Sequence, residues 1–185
     1  MIQPIIEKIR LIDRFTLLTG KTVRWLSLLM VIFSVLVVLL RYVFEVPSIA
    51  LQESVTYLHA SLFMLGAAYT WQQNGHVRVD VFYRNLPQSQ KDWVDRFGIV
   101  FLLLPVCVFM LYSSWSYVGM AWAIGEKSQE AGGLPLVYLL KTLIIIMPVL
   151  MILQAIAELT KTLLPVELRR GAPEYDNTDG EHHHG

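Results

Sequence analysis

Cys107 is the chain's single cysteine. No disulfide within the chain and no cysteine-based metal cluster can form. Charge of one sign is also missing, because 15 Lys and Arg cancel 15 Asp and Glu. A chain without basic excess lacks the cationic face that nucleic acid requires, so no nucleic-acid partner is expected. Charged residues make up 16% of the 185 positions, against about 25% in an ordinary soluble domain. No Gly-rich phosphate loop, HExxH or GxSxG occurs, which removes the usual signatures of enzymes. No internal repeat of roughly 20 to 50 residues is visible. What fills the chain is apolar: 55% hydrophobic residues and a mean hydropathy of +0.50.

The apolar residues gather into blocks. A bilayer core of about 30 Å needs roughly 20 apolar residues in a helix. Four blocks approach this, and the sequence predicts an all-α membrane protein with spans at about 23–44, 49–73, 97–123 and 137–163. The third block carries no charge, whereas the second carries Gln52, Glu53 and His59. Helices are expected because lipid leaves backbone groups to satisfy themselves. Pro105 and Pro148 are expected to kink the third and fourth spans.

Basic residues set an orientation. Twelve fall before or at the start of the first span, between the second and third, or at and beyond the end of the fourth; Arg41, Lys127 and Lys141 fall toward the other side. The positive-inside rule then puts both termini in the cytoplasm. Trp25, Trp71 and Trp93 suit the inner interface, and Trp115 and Trp122 the outer one.

Residues 1–22 read as a separate amphipathic helix on the cytoplasmic membrane face. Ile5, Ile6, Ile9, Ile12, Phe15 and Leu18 recur at helical spacing. No cleavable signal is expected, since the apolar block begins beyond residue 20 and is full length. Residues 165–185 are polar and are expected to form a disordered cytoplasmic tail. Its His182, His183 and His184 are read as solvated residues rather than a metal site.

Ionisable groups at membrane depth are the first functional candidates. His59 is the deepest. A bis-histidine haem would need a second spanning histidine, and His76 lies in a loop, so His59 reads as a polar contact between helices. Arg41 and Glu53 sit at the outer ends of two spans joined by a tight turn. They are expected to pair, which offsets part of their desolvation, or one of them faces a partner. Lys141 opens the fourth span and either snorkels outward or meets Glu126 or Glu130. Ala60, Ser61, Gly66, Ala67 and Ala68 permit close helix approach in the second span. His76, Arg78 and Asp80 alternate with valines, as in a short extended stretch.

Four segments, in order, resemble the small membrane subunit of tripartite ATP-independent periplasmic (TRAP) transporters. They are LRYVF ending the first span, LQES with LGAAYTW in the second, NGHVRVDVFY in the inner loop, and GEKSQEAGGLP followed by Lys141. The resemblance covers about residues 12–164. Many relatives open the second span with a Trp and two adjacent acids; here the place reads Ala50-Leu51-Gln52-Glu53, leaving Glu53. That pattern is similar to the subgroup labelled for mannitol or chloroaromatic compounds.

The resemblance implies a scaffold subunit that braces a large elevator-type permease subunit. That partner holds the sodium and substrate sites, and a periplasmic binding protein delivers a small organic carboxylate to it. Membrane lipid is the other expected neighbour. No catalytic residue, cofactor or metal is expected in this chain. The implied structural or interface residues are Arg41, Glu53 and His59, then His76, Arg78 and Asp80 of the inner loop. Glu126, Ser128, Gly132, Gly133 and Pro135 of the outer loop, with Lys141, complete the set. The competing readings are a redox-enzyme membrane anchor with haem at His59, and an autonomous small transporter.

Overall fold

The computed structural model describes residues 3–73, 75 and 87–163. His76, Arg78 and Asp80, the extended stretch around them and the tail from 165 lie outside the described residues. Every described secondary-structure element is helical. Helix α1 is Gln3–Tyr42, and α2 is Ile49–Gln72. Helix α3, Gln88–Phe97, passes through a π-helical stretch, Gly98–Leu103, into α4, Leu104–Ile124. Helix α5 is Val137–Leu163. Among the described residues, three helices are long and apolar enough to cross a membrane: Gln3–Tyr42, Gln90–Ile124 (α3 and α4 together) and Val137–Leu163.

The separate N-terminal helix expected over 1–22 is not present. Residues 3–42 form one helix of 40 residues, about 60 Å long at 1.5 Å per residue. Gly20 is the only helix-weakening residue near the expected break, and one glycine is tolerated inside a helix. Thr19 and Thr22 return their hydroxyls to the carbonyls of Phe15 and Leu18, one turn back. Ile9, Asp13, Thr16, Gly20 and Val23 are buried, at alternating steps of four and three residues, the spacing of a helix–helix seam. Phe15 and Leu18 are exposed outside that seam.

A short turn reverses the chain after α1. The Val46 N–H donates to the Leu40 carbonyl at 2.9 Å, and Glu45 adopts a φ of 54°, a left-handed conformation of the kind that often ends a helix. Ser48 then caps α2 by accepting from the Leu51 N–H. Helix α2 returns antiparallel along α1, until Gln72 reaches Asp13. Helix α5 packs on α2, on α1 and on α4, and so sits at the centre of the set. The turns 43–48 and 125–136 share one end of the molecule, called here the hairpin end. The N-terminus and the end of α5 share the other, the terminal end.

Pro105 explains the π-helical stretch. It lacks an N–H, and its ring would meet the carbonyl four residues earlier. The ladder widens instead, and the Leu104 N–H bonds the Ile99 carbonyl five residues back, a known way to absorb such a defect. Pro148 lies inside α5 and is fully buried.

Gly20 marks the closest approach of α1 to α2. A Cβ built there would overlap the root of the Tyr69 ring, which cannot swing away without moving its backbone. Gly20→Ala is expected to lower stability by about 1–3 kcal/mol through overpacking. Thermal unfolding in detergent checks this, and Tyr69→Ala in the same chain should recover part of the loss.

Candidate functional site

The polar side chains within the helix set gather at its two ends. At the hairpin end the organising residue is Glu53, in the second turn of α2. Its Oε1 accepts from the Ser128 hydroxyl, and its Oε2 accepts from the Leu134 N–H at 2.6 Å. One carboxylate therefore holds both limbs of the loop between α4 and α5. The loop closes on itself as well: the Ser128 N–H donates to the Leu134 carbonyl at 3.1 Å and the Gly133 N–H to the Glu130 carbonyl at 3.0 Å. The Glu130 N–H donates to the Ser128 Oγ at 3.1 Å.

Two glycines make this loop possible. Gly132 has a φ of +83°, a conformation that favours glycine. A Cβ on Gly133 would run into the Ser128 side chain and reach 2.8 Å from Glu53 Oε1. Pro135 follows just before α5. Beside the loop, Lys141 donates to both oxygens of Glu126, at 2.7 and 2.5 Å. Its ammonium also lies 4.1 Å from the centre of the Tyr117 ring, within cation–π range. Trp122 donates its indole N–H to Thr142 at 2.8 Å and meets Tyr138 edge-on. Helices α4 and α5 are thus tied together just below the loop.

Two expectations need correction here. Arg41 does not pair with Glu53. The guanidinium is exposed and lies near the ring of its neighbour Tyr42, while Glu53 turns toward the 125–136 loop. The two residues share a depth but face different directions around their helices. His59 is exposed and makes no side-chain hydrogen bond or ion pair to another helix among the described residues. Lys141 does meet Glu126, one of the two acids expected for it.

The terminal end holds a second cluster. Asp13 is 3% exposed and Gln154 0%. Asp13 Oδ1 accepts from Gln72 at 3.1 Å, Gln154 at 3.2 Å and Lys161 at 2.8 Å. Thr16 donates to Gln154 Oε1 at 2.9 Å. Glu158 Oε1 accepts from both Gln154 and Lys161 at 2.9 Å. Three helices, α1, α2 and α5, therefore share one network. Arg96 adds a tie by donating to the hydroxyl and carbonyl of Thr162.

The candidate residues named above from the sequence do not include this cluster, although a signal was present. Gln154 interrupts a long apolar run, and Asp13 and Thr16 occupy seam positions in α1. Polar residues in such places are expected to find each other, since an unpaired one is costly. A cleft of about 730 Å³ opens beside the cluster, between α2, α4 and α5, with Met147, Met151 and Cys107 in its wall and Gln72 and Glu158 at its polar end.

Over residues 14–164 the chain matches the family described as "Tripartite ATP-independent periplasmic transporters, DctQ component". Comparison with curated proteins gave no match, and comparison with solved structures gave none either.

Proposed function

We propose a scaffold role from one premise: the chain belongs to the DctQ component family of tripartite ATP-independent periplasmic transporters, and is the small permease subunit of such a system. It is a multi-pass membrane protein. We read α2 as a fourth crossing. It runs beside α1 from the 43–48 turn to Asp13, so it must traverse whatever depth α1 traverses. Its 24 residues give about 36 Å, more than the roughly 30 Å of a bilayer core. Counting basic residues supports termini on the cytoplasmic side of a bacterial inner membrane.

The observation that carries the scaffold reading is how the polar side chains are used. Asp13, Gln154 and Lys161 at one end, and Glu53, Ser128 and Lys141 at the other, are engaged in bonds between elements of this chain. Such cross-links favour a body that holds its shape. In this reading the body braces the large permease subunit while that partner's transport domain moves as an elevator. A periplasmic binding protein delivers the substrate, a small organic carboxylate, and sodium drives its uptake. The cargo class is taken from the family resemblance as a whole, since the mannitol or chloroaromatic label of the subgroup is a poor guide to substrate. Haem ligation by His59 is not favoured, because the family is a transporter component.

Affinity purification of the chain from its native membrane in mild detergent tests the reading. A large polytopic permease in equal amount is the expected companion. A flavin or iron–sulfur subunit in its place would overturn it.

A further inference from the structure

Helix α2 presents Gln52, Thr56, His59 and Phe63 on one exposed stripe, each three or four residues from the next and therefore on one face. Gln52, Thr56 and His59 have no side-chain hydrogen bond among the described residues. By rise per residue they lie about 5, 10 and 15 Å below the start of α2. Gln52 can reach the headgroups from there. On the fourth-crossing reading, with the start of α2 at the edge of a core of about 30 Å, His59 sits near its middle.

The exposed faces of neighbouring helices differ. Helix α1 shows Leu28, Val31 and Val35 at comparable depths, and α5 shows Ile146, Val149 and Leu153. Those faces suit acyl chains. The α2 stripe does not, since lipid offers an imidazole no donor or acceptor and polar groups there seek a partner helix.

We infer that the stripe Gln52-Thr56-His59-Phe63 is the seat of a membrane-spanning helix of the large permease subunit, one presenting a carboxylate or amide to His59. The inference rests on the small-subunit reading above. The chemistry of the occupant follows from the stripe. Gln52 and Thr56 offer neutral donors and acceptors, His59 offers one of each, and Phe63 supplies an apolar anchor below them. In the assembled transporter His59 is then covered and hydrogen-bonded across the interface.

Site-specific photo-crosslinking in the complex tests this. Phe63→p-benzoylphenylalanine keeps an aromatic ring at the site and is expected to yield an adduct with the large subunit. Val35 and Val149 carry the probe as lipid-facing controls, and Tyr112, the exposed tyrosine of α4, as the competing surface. Adducts from Tyr112, Val35 or Val149 but not Phe63 overturn the proposal, as does a Phe63 adduct with a second copy of this chain.

His59→Leu provides an independent arm. It is expected to lower recovery of the large subunit by about threefold to tenfold, the scale of one interhelical hydrogen bond. His59→Gln should retain most of it. Thermal unfolding of the isolated chain should not change, because His59 makes no side-chain hydrogen bond among the described residues. Equal destabilisation of the isolated chain, or full recovery of the large subunit with His59→Leu, overturns the interface. A wild-type chain that recovers no large permease at all overturns the small-subunit reading first, and this proposal with it.

Discussion

Replacing Asp13 by alanine is expected to lower the stability of the isolated subunit by about 3–5 kcal/mol, the cost of breaking a buried ion pair by removing one member. Three donors converge on its Oδ1, from α2 and from two positions on α5. Without the carboxylate, Lys161 keeps only Glu158, and Gln154 loses one acceptor. The cost arises from stranded polar groups rather than from lost apolar area. Asp13→Asn preserves shape and an acceptor oxygen and should cost less. The double variant Asp13→Leu with Lys161→Leu should recover only part of the loss, because it removes the stranded ammonium while Gln72 and Gln154 still lose an acceptor and Glu158 loses its cation. Unfolding in mixed micelles, followed by circular dichroism, measures all three. An Asp13→Ala chain as stable as wild type would show that the network contributes nothing.

The second large effect is expected at the hairpin end. Glu53→Ala removes the acceptor for both Ser128 and Leu134, and no neighbouring side chain described here substitutes for it. The 125–136 loop should open, and tryptic cleavage after the exposed Lys127 should accelerate by about tenfold or more, as local opening becomes easier. Gly133→Ala should give the same result by a different route, since its Cβ competes with Ser128 and Glu53 for space. Glu53→Gln keeps one oxygen and should lie between. In the assembled transporter Glu53→Ala should lower the yield of complex more than it alters substrate preference. A normally assembled complex with changed preference would instead place Glu53 near the substrate path.

How far the sequence determined this can be judged residue by residue. Depth was legible: apolar blocks and Gly- and Pro-rich turns placed Glu53, His59 and Lys141 at their levels. Direction around each helix was not. Arg41 and Glu53 share a level and look like partners on that basis, but their facing depends on which helices are neighbours. Only the packed set shows Glu53 turned to the 125–136 loop and His59 turned outward. Likewise, the seam of the first 22 residues is made by Ile9 with the small or polar Asp13, Thr16 and Gly20, while Phe15 and Leu18 stay outside it. Close approach between α1 and α2 selects for size at Gly20, a criterion that hydrophobic periodicity does not weigh. The 125–136 loop was read more nearly correctly, because Gly, Pro and charge in a short segment limit its conformations.

The span of the terminal cluster along the chain has a consequence for how the protein is made. Asp13 waits 141 residues for Gln154 and 148 for Lys161. A chain threaded into the membrane from its N-terminus carries an unmatched carboxylate on its first helix until the last one arrives. Gln72 can meet it early, but without a counter-charge. Completion of the subunit is therefore registered chemically at a single residue. A nascent or truncated product ending before α5 leaves that carboxylate without the Lys161 ammonium that neutralises it in the finished chain.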